Sequence, residues 1–230
     1  MTAEKADDVI YGIFKCEIKN RFLCTVQVNG EDVTCYIPSS CRLSNFIDMR
    51  NRTVLLRPVA AENARTAYSV YAVKYRRSFI LLNLSQVNRV IEAQLYRRYF
   101  SYLGKNRRNV IREYKIEAYK TDLYLPDTRT LVEIKSILSF DKCGLFPTVY
   151  SERAIKQLCQ ISRLLNQGYQ ASYLFVSLNP AVTEIQLNKS IEEFYQLFID
   201  CVEKGMTYSG ISIRLMEGEP QVYARIPVRA

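Results

Sequence analysis

The segment around Asn29-Gly30 constrains the fold most directly, because it is typical of a tight β-hairpin. Apolar side chains recur at every second position on both sides of this dipeptide, at Phe22, Cys24, Val26, Val28, Val33, Cys35 and Ile37. An Asn-Gly pair between two alternating segments favours a two-residue turn, because both of its residues readily adopt positive φ. The sequence therefore predicts two antiparallel strands joined at residues 29 and 30.

Further short strands are predicted over residues 9–18, 53–59, 67–74 and 79–82. Five or six such strands within about 80 residues favour a small closed or partly open barrel. We interpret residues 1–83 as an OB-like β-barrel domain. Tyrosines and arginines follow one another near its end, at Tyr68, Tyr71, Tyr75, Arg76 and Arg77. They could stack on bases and contact phosphates, or the tyrosines could simply pack in the barrel.

Residues 84–230 combine helical and strand patterns and are predicted to form a mixed-sheet α/β domain. A helix is expected from Ser85, with Leu84, Val87, Ile91, Leu95 and Tyr99 recurring at helical spacing. Strands are then predicted over 116–125, 130–137, 171–178 and 208–215, with a helix over 151–166. Ser190 and Glu193 match a capping box for a last helix, which is expected to close at Gly205.

Composition excludes several classes of protein. The chain has no histidine, which excludes Ser-His-Asp and Cys-His catalysis and histidine-ligated zinc. No apolar run approaches the roughly 20 residues that span a bilayer, and the polar, acidic start is unlike a signal peptide. We therefore expect a cytoplasmic protein without a membrane partner. Seven cysteines without a CxxC pair indicate reduced thiols, although four N-terminal cysteines leave a zinc site conceivable.

The net charge of +9 is unevenly distributed along the chain. Residues 1–109 contain 18 basic residues (Lys and Arg) and 9 acidic residues (Asp and Glu), whereas residues 110–230 contain 14 basic and 14 acidic residues. An excess of positive charge suits a polyanion, because neutralised phosphates release their counterions. The charge distribution therefore indicates a nucleic-acid partner for the N-terminal half, with a merely basic surface as the alternative.

The hairpin around Pro126-Asp127-Thr128-Arg129 carries the most informative polar residues. If its loop is centred on residues 127 and 128, Leu123 faces Val132 and Asp122 faces Glu133. Directly opposed residues have Cβ atoms roughly 4.5–5.5 Å apart. Lys135 follows two residues after Glu133 and shares its face, while Val132 and Ile134 are expected to face a helical layer. The register therefore brings two carboxylates and one lysine together.

Two opposed carboxylates repel each other unless a cation lies nearby. Mg²⁺ takes one or two carboxylates together with phosphate oxygens, and a neighbouring lysine can orient the attacking water. We therefore predict Asp122 and Glu133 as ligands of Mg²⁺ or Mn²⁺, with Lys135 as their catalytic neighbour. The alternatives are an ordinary solvent-facing salt bridge and a metal ligand at Asp127, which the turn itself explains.

Asp122 followed by Leu131-Val132-Glu133-Ile134-Lys135-Ser136 resembles the PD-(D/E)xK nuclease core. More narrowly, the chain resembles the sugar fermentation stimulation protein (SfsA) family, which comprises DNA-binding proteins and DNA or RNA nucleases. The matching segments are Arg21-Phe22-Leu23, Leu82-Asn83-Leu84, Asn88-Arg89-Val90, Glu133-Ile134-Lys135, Phe146-Pro147 with Glu152-Arg153, Leu174-Phe175-Val176 and Gly205-Met206-Thr207. The resemblance implies an OB-fold domain followed by a PD-(D/E)xK nuclease-like domain.

The sequence departs from the family pattern at three places. Residues 37–41 lack the family's Asn and Gly, Thr148 replaces an aspartate, and Gln157 replaces a histidine. The resemblance also implies that Glu113 corresponds to an upstream glutamate that assists the site. Glu152 and Arg153 could brace the site or touch phosphate, or form a salt bridge at a helix start.

Two functions follow as expectations. The first is a Mg²⁺- or Mn²⁺-dependent nuclease on DNA, RNA or both, with Asp122, Glu133, Lys135 and Glu113 as catalytic residues. Contacts to nucleic acid are assigned to Arg21, Arg42, Arg76, Arg77, Arg89 and Arg153. The second is a DNA-binding regulatory protein whose nuclease fold is catalytically impaired, which the loss of the aspartate at Thr148 favours.

Overall fold

The computed structural model describes residues 10–20, 22–38, 42–59 and 64–230, and the chain divides into two compact units, Met1–Gln86 and Val87–Ala230. The first unit contains strands β1 (Ile10–Glu17), β2 (Leu23–Val28), β3 (Glu31–Tyr36), β4 (Thr53–Pro58), β5 (Tyr68–Tyr75) and β6 (Ser78–Leu81). The second contains helices α1 (Val87–Gln94), α2 (Glu152–Asn166) and α3 (Glu192–Glu203). Its strands are β7 (Ile111–Arg112), β8 (Lys115–Ile116), β9 (Tyr119–Lys120), β10 (Leu123–Leu125), β11 (Thr130–Ile137), β12 (Cys143–Phe146), β13 (Gln170–Ser177), β14 (Glu184–Leu187), β15 (Thr207–Met216), β16 (Glu219–Ile226) and β17 (Val228–Arg229).

The first unit is a closed five-stranded barrel. β1 pairs with β2 and β4, β2 with β3, and β4 with β5, all antiparallel. A short parallel pairing of β3 with β5, at Cys35 with Tyr68 and Tyr36 with Ser69, closes the ring. β6 extends the sheet beyond β5. This strand order is that of an OB fold, so the predicted OB-like barrel is confirmed.

The hairpin predicted at Asn29-Gly30 is present. Asn29 and Gly30 have φ of 51° and 92°, and Val28 pairs with Glu31 across the turn. Cys24, Val26 and Val28 point inward and are buried, as the alternating pattern requires. The six described cysteines are free thiols, and the described residues contain no cluster of cysteines and acidic residues that could hold a metal ion.

The second unit is built on a six-stranded mixed sheet in the order β16-β15-β13-β11-β10-β7. β11, β13 and β15 are parallel, and antiparallel strands flank them on both sides. β13 is almost wholly buried, which fits its continuous apolar sequence. A second, parallel sheet consists of β12, β14 and β17. The predicted mixed-sheet α/β domain is therefore confirmed.

Helices α2 and α3 pack on one face of the main sheet. Their buried side chains share a core with Leu131 and Ile137 of β11 and with Tyr173 and Phe175 of β13. Tyr173 and Phe175 pack with Phe198 of α3, with ring centroids 5.4 and 6.0 Å apart. Because strand side chains alternate between faces, Glu133 and Lys135 also lie on this helical side. The expectation that Val132 and Ile134 face this layer is therefore wrong.

One predicted strand is divided into pieces. The segment 116–125 turns back at Glu117-Ala118, where Glu117 has φ of 52°, and forms the small hairpin of β8 and β9 before β10 begins. The turn carries no Asn-Gly signal, and for this reason the sequence pattern gave no sign of it. As a result, Tyr119 and Lys120 run back alongside β8 instead of continuing into β10.

Two helix boundaries differ from the predictions. α1 ends at Gln94, and Arg98–Leu103 forms a separate 3-10 helix that includes Tyr99. The capping box at Ser190 is wrong, because the Ser190 hydroxyl donates to Oδ1 of Asn188 and Ile191 precedes α3 without a side-chain cap. The helix over 151–166 is confirmed, with the Ser151 hydroxyl accepting from the Ala154 N–H.

Gln94 anchors α1 to β16, the outer strand of the main sheet. Its Oε1 accepts the Val222 N–H at 3.0 Å, and its Nε2 donates to the Pro220 carbonyl at 3.4 Å. Arg97 adds a bond from Nη1 to the Val222 carbonyl at 3.3 Å. These contacts fix the helix that carries Asn88, so they contribute to the geometry of the site described below.

We predict that Gln94→Leu lowers the free energy of unfolding by about 1–3 kcal/mol, because the Val222 N–H and the Pro220 carbonyl lose their partner in a buried place. Equilibrium urea denaturation measures this change. Gln186→Leu, on the exposed side of β14, is the matched control and should change stability by no more than about 0.5 kcal/mol. Equal stability of the two variants would contradict the anchoring role.

Candidate active site

The hairpin of β10 and β11 has the predicted register. Leu123 pairs with Val132, Tyr124 with Leu131 and Leu125 with Thr130. Its loop is the 3-10 turn Pro126–Thr128, which ends at Arg129 in the left-handed region with φ of 50°. This register places Asp122 immediately before β10 and opposite Glu133.

Thr121 and Asp122 fasten the start of β10 to β11. The buried Thr121 hydroxyl lies 3.0 Å from both the Leu123 and Val132 carbonyls. The Ile134 N–H donates to Oδ2 of Asp122 at 2.8 Å, and Nδ2 of Asn88 donates to Oδ1 at 2.9 Å. Both oxygens of this carboxylate are therefore oriented by donors, one from β11 and one from α1.

Glu133 is 2% exposed and is held by two side chains. The Tyr119 hydroxyl donates to its Oε2 at 2.6 Å, and Nζ of Lys135 donates to its Oε1 at 2.6 Å. Nζ of Lys135 also donates to Oε1 of Gln157 on α2 at 2.7 Å. The lysine is thereby held between the carboxylate and α2.

The two carboxylates influence each other electrostatically. Burial and the negative charge of Glu133 raise the pKa of Asp122 from 3.8 to about 6, against the opposing effects of the Ile134 N–H, Lys135 and Asn88. Burial, together with the charge of Glu133, also raises the pKa of Tyr119 well above 10. Tyr119 therefore stays a neutral hydroxyl that donates to Glu133.

Three of these contacting residues were absent from the predicted site. Asn88 belongs to the Asn-Arg-Val segment that resembles the family, and Gln157 was noted only as a replaced histidine. Tyr119 had no sequence signal, because the unrecognised turn at Glu117-Ala118 brings it beside Glu133. Side chains that approach from other elements cannot be inferred from the register of one hairpin.

The backbone of Glu113 lies next to Asp122. Glu113 has φ of 51°, and its N–H donates to the Asp122 carbonyl at 2.9 Å. Its carboxylate is mostly exposed and pairs with Nζ of Lys120 at 3.2 Å. The structure therefore brings Asp122, Glu133 and Lys135 together and directs the Glu113 side chain to the surface.

The predicted nucleic-acid contacts lie in different parts of the chain. Arg21 lies outside the described residues. Arg42, Arg76 and Arg77 are exposed in the first unit, and Arg89 and Arg153 are exposed on α1 and α2 of the second. Nη2 of Arg42 donates to the Lys19 carbonyl at 3.1 Å, and the guanidinium of Arg76 lies 5.2 Å from the Tyr75 ring centre. Thr148 is exposed, and its hydroxyl donates to the Leu145 carbonyl at 3.4 Å.

The donor set of the site suits a hydrated divalent cation. Within the described parts of the chain, no three acidic, cysteine or histidine residues cluster as metal ligands, so the site offers the two carboxylates of Asp122 and Glu133. Mg²⁺ usually binds through one or two carboxylates and keeps several waters. Burial and then the repulsion from Glu133 raise the pKa of Asp122, and a bound cation would relieve that repulsion. The buried Tyr173 hydroxyl, beside Glu133 across the β11–β13 pairing, has no hydrogen-bond partner.

Two family models match this chain in succession. Residues 18–82 match the SfsA N-terminal OB domain, and residues 85–219 match the sugar fermentation stimulation protein RE domain. The chain belongs to the SfsA family. The suspected resemblance is thus confirmed, and both models follow the order of barrel and mixed-sheet unit described above.

Relatives in the SfsA family match over most of their length. The sugar fermentation stimulation protein homolog of Natranaerobius thermophilus is 24% identical and covers 96% of this chain and 95% of its own. The homolog of Thermosipho melanesiensis is 26% identical over 88% of this chain and 89% of its own. The solved structure of Pyrococcus furiosus SfsA, described as a complex with Ca²⁺, covers 100% of both chains at 17% identity with a TM-score of 0.82. This SfsA structure supports the fold.

None of the helices in the described ranges is both long and apolar enough to cross a bilayer.

We predict that Asp122 makes the metal-free protein less stable as the pH rises from about 4 to about 6. Its pKa in the folded state, about 6, exceeds the usual 3.8, so the folded protein binds this proton more tightly and is stabilised below that range. Asp122→Asn lacks this dependence. Urea unfolding in the presence of chelator measures it as the difference between the two proteins.

The free energy of unfolding of the wild type relative to Asp122→Asn should therefore be lower at about pH 7 than at about pH 4. Titrating groups that do not interact with Asp122 are common to both proteins and cancel in this difference. An unchanged difference at the two pH values would contradict the raised pKa.

Proposed function

We propose that this protein is a metal-dependent nuclease that hydrolyses phosphodiester bonds in DNA, RNA or both. The observation that carries the proposal is the arrangement of Asp122, Glu133 and Lys135 on one hairpin, with both carboxylates held by donors from other elements. Two carboxylates are costly to hold together where one is buried and the other partly buried. The proximity of the Asp122 and Glu133 carboxylates is explained by a function, such as metal binding, that needs both of them.

In this proposal Asp122 and Glu133 hold Mg²⁺ or Mn²⁺. When bound, the cation would lower the pKa of a water molecule and neutralise charge that develops on the scissile phosphate. Support comes from the solved SfsA of Pyrococcus furiosus, described as a complex with Ca²⁺, which is a divalent cation that also prefers oxygen ligands.

Lys135 is placed to act on the substrate. Its ammonium has three N–H donors, and the bonds to Glu133 and Gln157 use two of them. The third remains for a water molecule or a phosphate oxygen, which it would orient and stabilise electrostatically. The lysine side chain is 17% exposed, so it meets the surface while its position stays fixed.

Asn88 and Tyr119 act as positioning residues. Asn88 fixes Oδ1 of Asp122, and the Tyr119 hydroxyl fixes Oε2 of Glu133. Catalytic groups must be held within a fraction of an ångström of their working geometry. Each carboxylate oxygen retains a further lone pair, so these bonds still allow a metal ion to bind.

The barrel is proposed to hold the nucleic acid. The positive charge of the chain is concentrated in residues 1–109, and Arg76 and Arg77 are exposed at the turn between β5 and β6. OB folds commonly combine positively charged grooves with aromatic side chains on which bases stack. The barrel would therefore supply affinity, and the second unit would supply chemistry.

A binding protein without turnover is the second candidate. It is favoured by Thr148, which stands where the family pattern has an aspartate and whose hydroxyl donates to the Leu145 carbonyl. In that case the nuclease fold would serve as a scaffold for binding DNA. This candidate and the nuclease differ in whether a metal ion produces cleavage.

We predict that the purified protein cleaves labelled DNA or RNA when Mg²⁺ or Mn²⁺ is present and not when chelator is present. Asp122→Asn, Glu133→Gln and Lys135→Met should each lower kcat by about 100-fold or more, because each removes charge from the reacting centre. Gel assays with single- and double-stranded DNA and RNA measure the rates.

Glu203→Gln is the matched control, since Glu203 is exposed at the end of α3, and it should cleave like the wild type. Glu113→Gln should have a smaller effect than Glu133→Gln, because its carboxylate lies at the surface with Lys120. Metal-dependent cleavage by Glu133→Gln at the wild-type rate would contradict the assignment of Glu133 to the active site. Salt-sensitive binding without any cleavage would favour the binding protein.

We also predict that Arg77→Ala weakens nucleic-acid binding and makes it less dependent on salt. Each lost contact to a single-stranded phosphate reduces the slope of log K against log salt by about 0.7. Fluorescence anisotropy in chelator measures this without turnover. Arg50→Ala is the control, because Arg50 is also exposed in the first unit but pairs with Asp48 at 3.2 Å. Identical slopes for both variants would argue against a role for Arg77.

A further inference from the structure

A cavity of about 650 Å³ lies between the β8–β9 hairpin and the first half of α2. All of its lining residues belong to the second unit. They are Ala118, Tyr119, Lys120, Glu152, Arg153, Lys156, Gln157 and Gln160. Its volume falls within the range typical of sites that hold small molecules or single nucleotides.

The cavity adjoins the proposed catalytic residues. Tyr119 lines it and donates to Glu133, and Gln157 lines it and accepts from Lys135. Glu133 itself is almost fully buried, so a substrate that meets it has to approach past neighbouring side chains. The cavity is therefore a route by which a substrate could approach Glu133 and Lys135, because two residues of its lining hydrogen-bond to them.

The lining of the cavity carries a net positive charge. It contains Lys120, Arg153 and Lys156, and Glu152 is its one acidic residue. Lys156 pairs with Glu152 at 3.7 Å and Lys120 with Glu113 at 3.2 Å. Such exposed pairs are weak and can exchange for phosphate. No described carboxylate lies within ion-pair distance of Arg153, so its charge is available to an anion.

The lining of the cavity also offers hydrogen-bonding groups suited to a base. Gln160 belongs to the lining, and a glutamine amide offers one acceptor oxygen and two N–H donors. The donors and acceptors on the edge of a nucleobase complement such an amide. In a duplex those groups are occupied by base pairing, whereas in a single strand they are free to enter a pocket.

We propose that this cavity is a subsite for one unpaired nucleotide of a single-stranded nucleic acid, next to the scissile phosphate. Arg153 and Lys156 bind its phosphates, and Gln160 contacts the edge of its base. The inference rests on the proposed function, because it assigns the substrate class of the same active site. It makes single-stranded DNA or RNA the preferred substrate over a duplex.

The first test compares the double variant Arg153→Ala/Lys156→Ala with Lys142→Ala/Lys189→Ala in the full-length protein. The control removes the same charge from exposed positions outside the cavity. With a single-stranded oligonucleotide of about 12 nucleotides, the cavity variant should lose about tenfold or more in kcat/KM. Its salt slope of binding in chelator should fall by about 0.7 per lost contact.

Gln160→Leu tests the base contact at nearly unchanged side-chain volume. It should weaken binding and cleavage of the single strand several-fold and leave duplex binding unaltered, because only an unpaired base enters the cavity and meets the Gln160 side chain. An equal change for single strand and duplex, or no change for either, would overturn the assignment of a base to this cavity.

Photocrosslinking with an oligonucleotide that contains 4-thiothymidine separates this inference from the proposed function. Crosslinks on peptides that contain Tyr119, Gln157 or Gln160 support the subsite even if no metal produces cleavage, in which case the nuclease proposal alone fails. Cleavage at wild-type rates by the cavity variant, or crosslinks confined to residues 10–86, would overturn the subsite and leave the nuclease proposal standing.

Discussion

The hydrogen bond from the Ile134 N–H to the Asp122 carboxylate is the contact on which the rest of the site depends. At the start of β10, the Ile134 N–H bonds to the Asp122 side chain in place of a backbone carbonyl. The backbone pairing of β10 with β11 therefore stops there, and the chain before Asp122 leaves the sheet. That departure allows the β8–β9 hairpin to fold back and place Tyr119 on Glu133. The same carboxylate accepts from Asn88, which ties α1 to the hairpin. One partly buried acid thus connects the sheet, a helix and a small hairpin.

Much of this organisation could be predicted from short-range patterns. The register that opposes Asp122 and Glu133 follows from a period of two residues and from the composition of the Pro126 turn. The Asn29-Gly30 turn and the strands of the barrel follow from the same rules. Tyr119 could not be predicted, because the turn at Glu117-Ala118 uses a left-handed glutamate in place of glycine or asparagine. The capping box failed because the nearby Asn188 side chain competes for the Ser190 hydroxyl.

Contacts between distant segments could not be predicted from the sequence for a different reason. The parallel pairing of Cys35 and Tyr36 with Tyr68 and Ser69 closes the barrel with few residues, and no local periodicity encodes it. The grip of Asn88 on Asp122 joins residues 34 positions apart. Such partners are selected by tertiary packing. The family resemblance indicated the fold and the carboxylates, whereas the donors that orient those carboxylates became visible in the structure.

The attachment of α1 to β16 has a consequence for association between copies of the protein. An outer strand with open N–H and C=O groups is a template on which another chain can add a strand. Here Gln94 and Arg97 already occupy the Val222 N–H, the Val222 carbonyl and the Pro220 carbonyl. At the opposite margin, β7 offers only two residues. These contacts and the short β7 oppose edge-to-edge growth of the sheet and so protect the protein against aggregation.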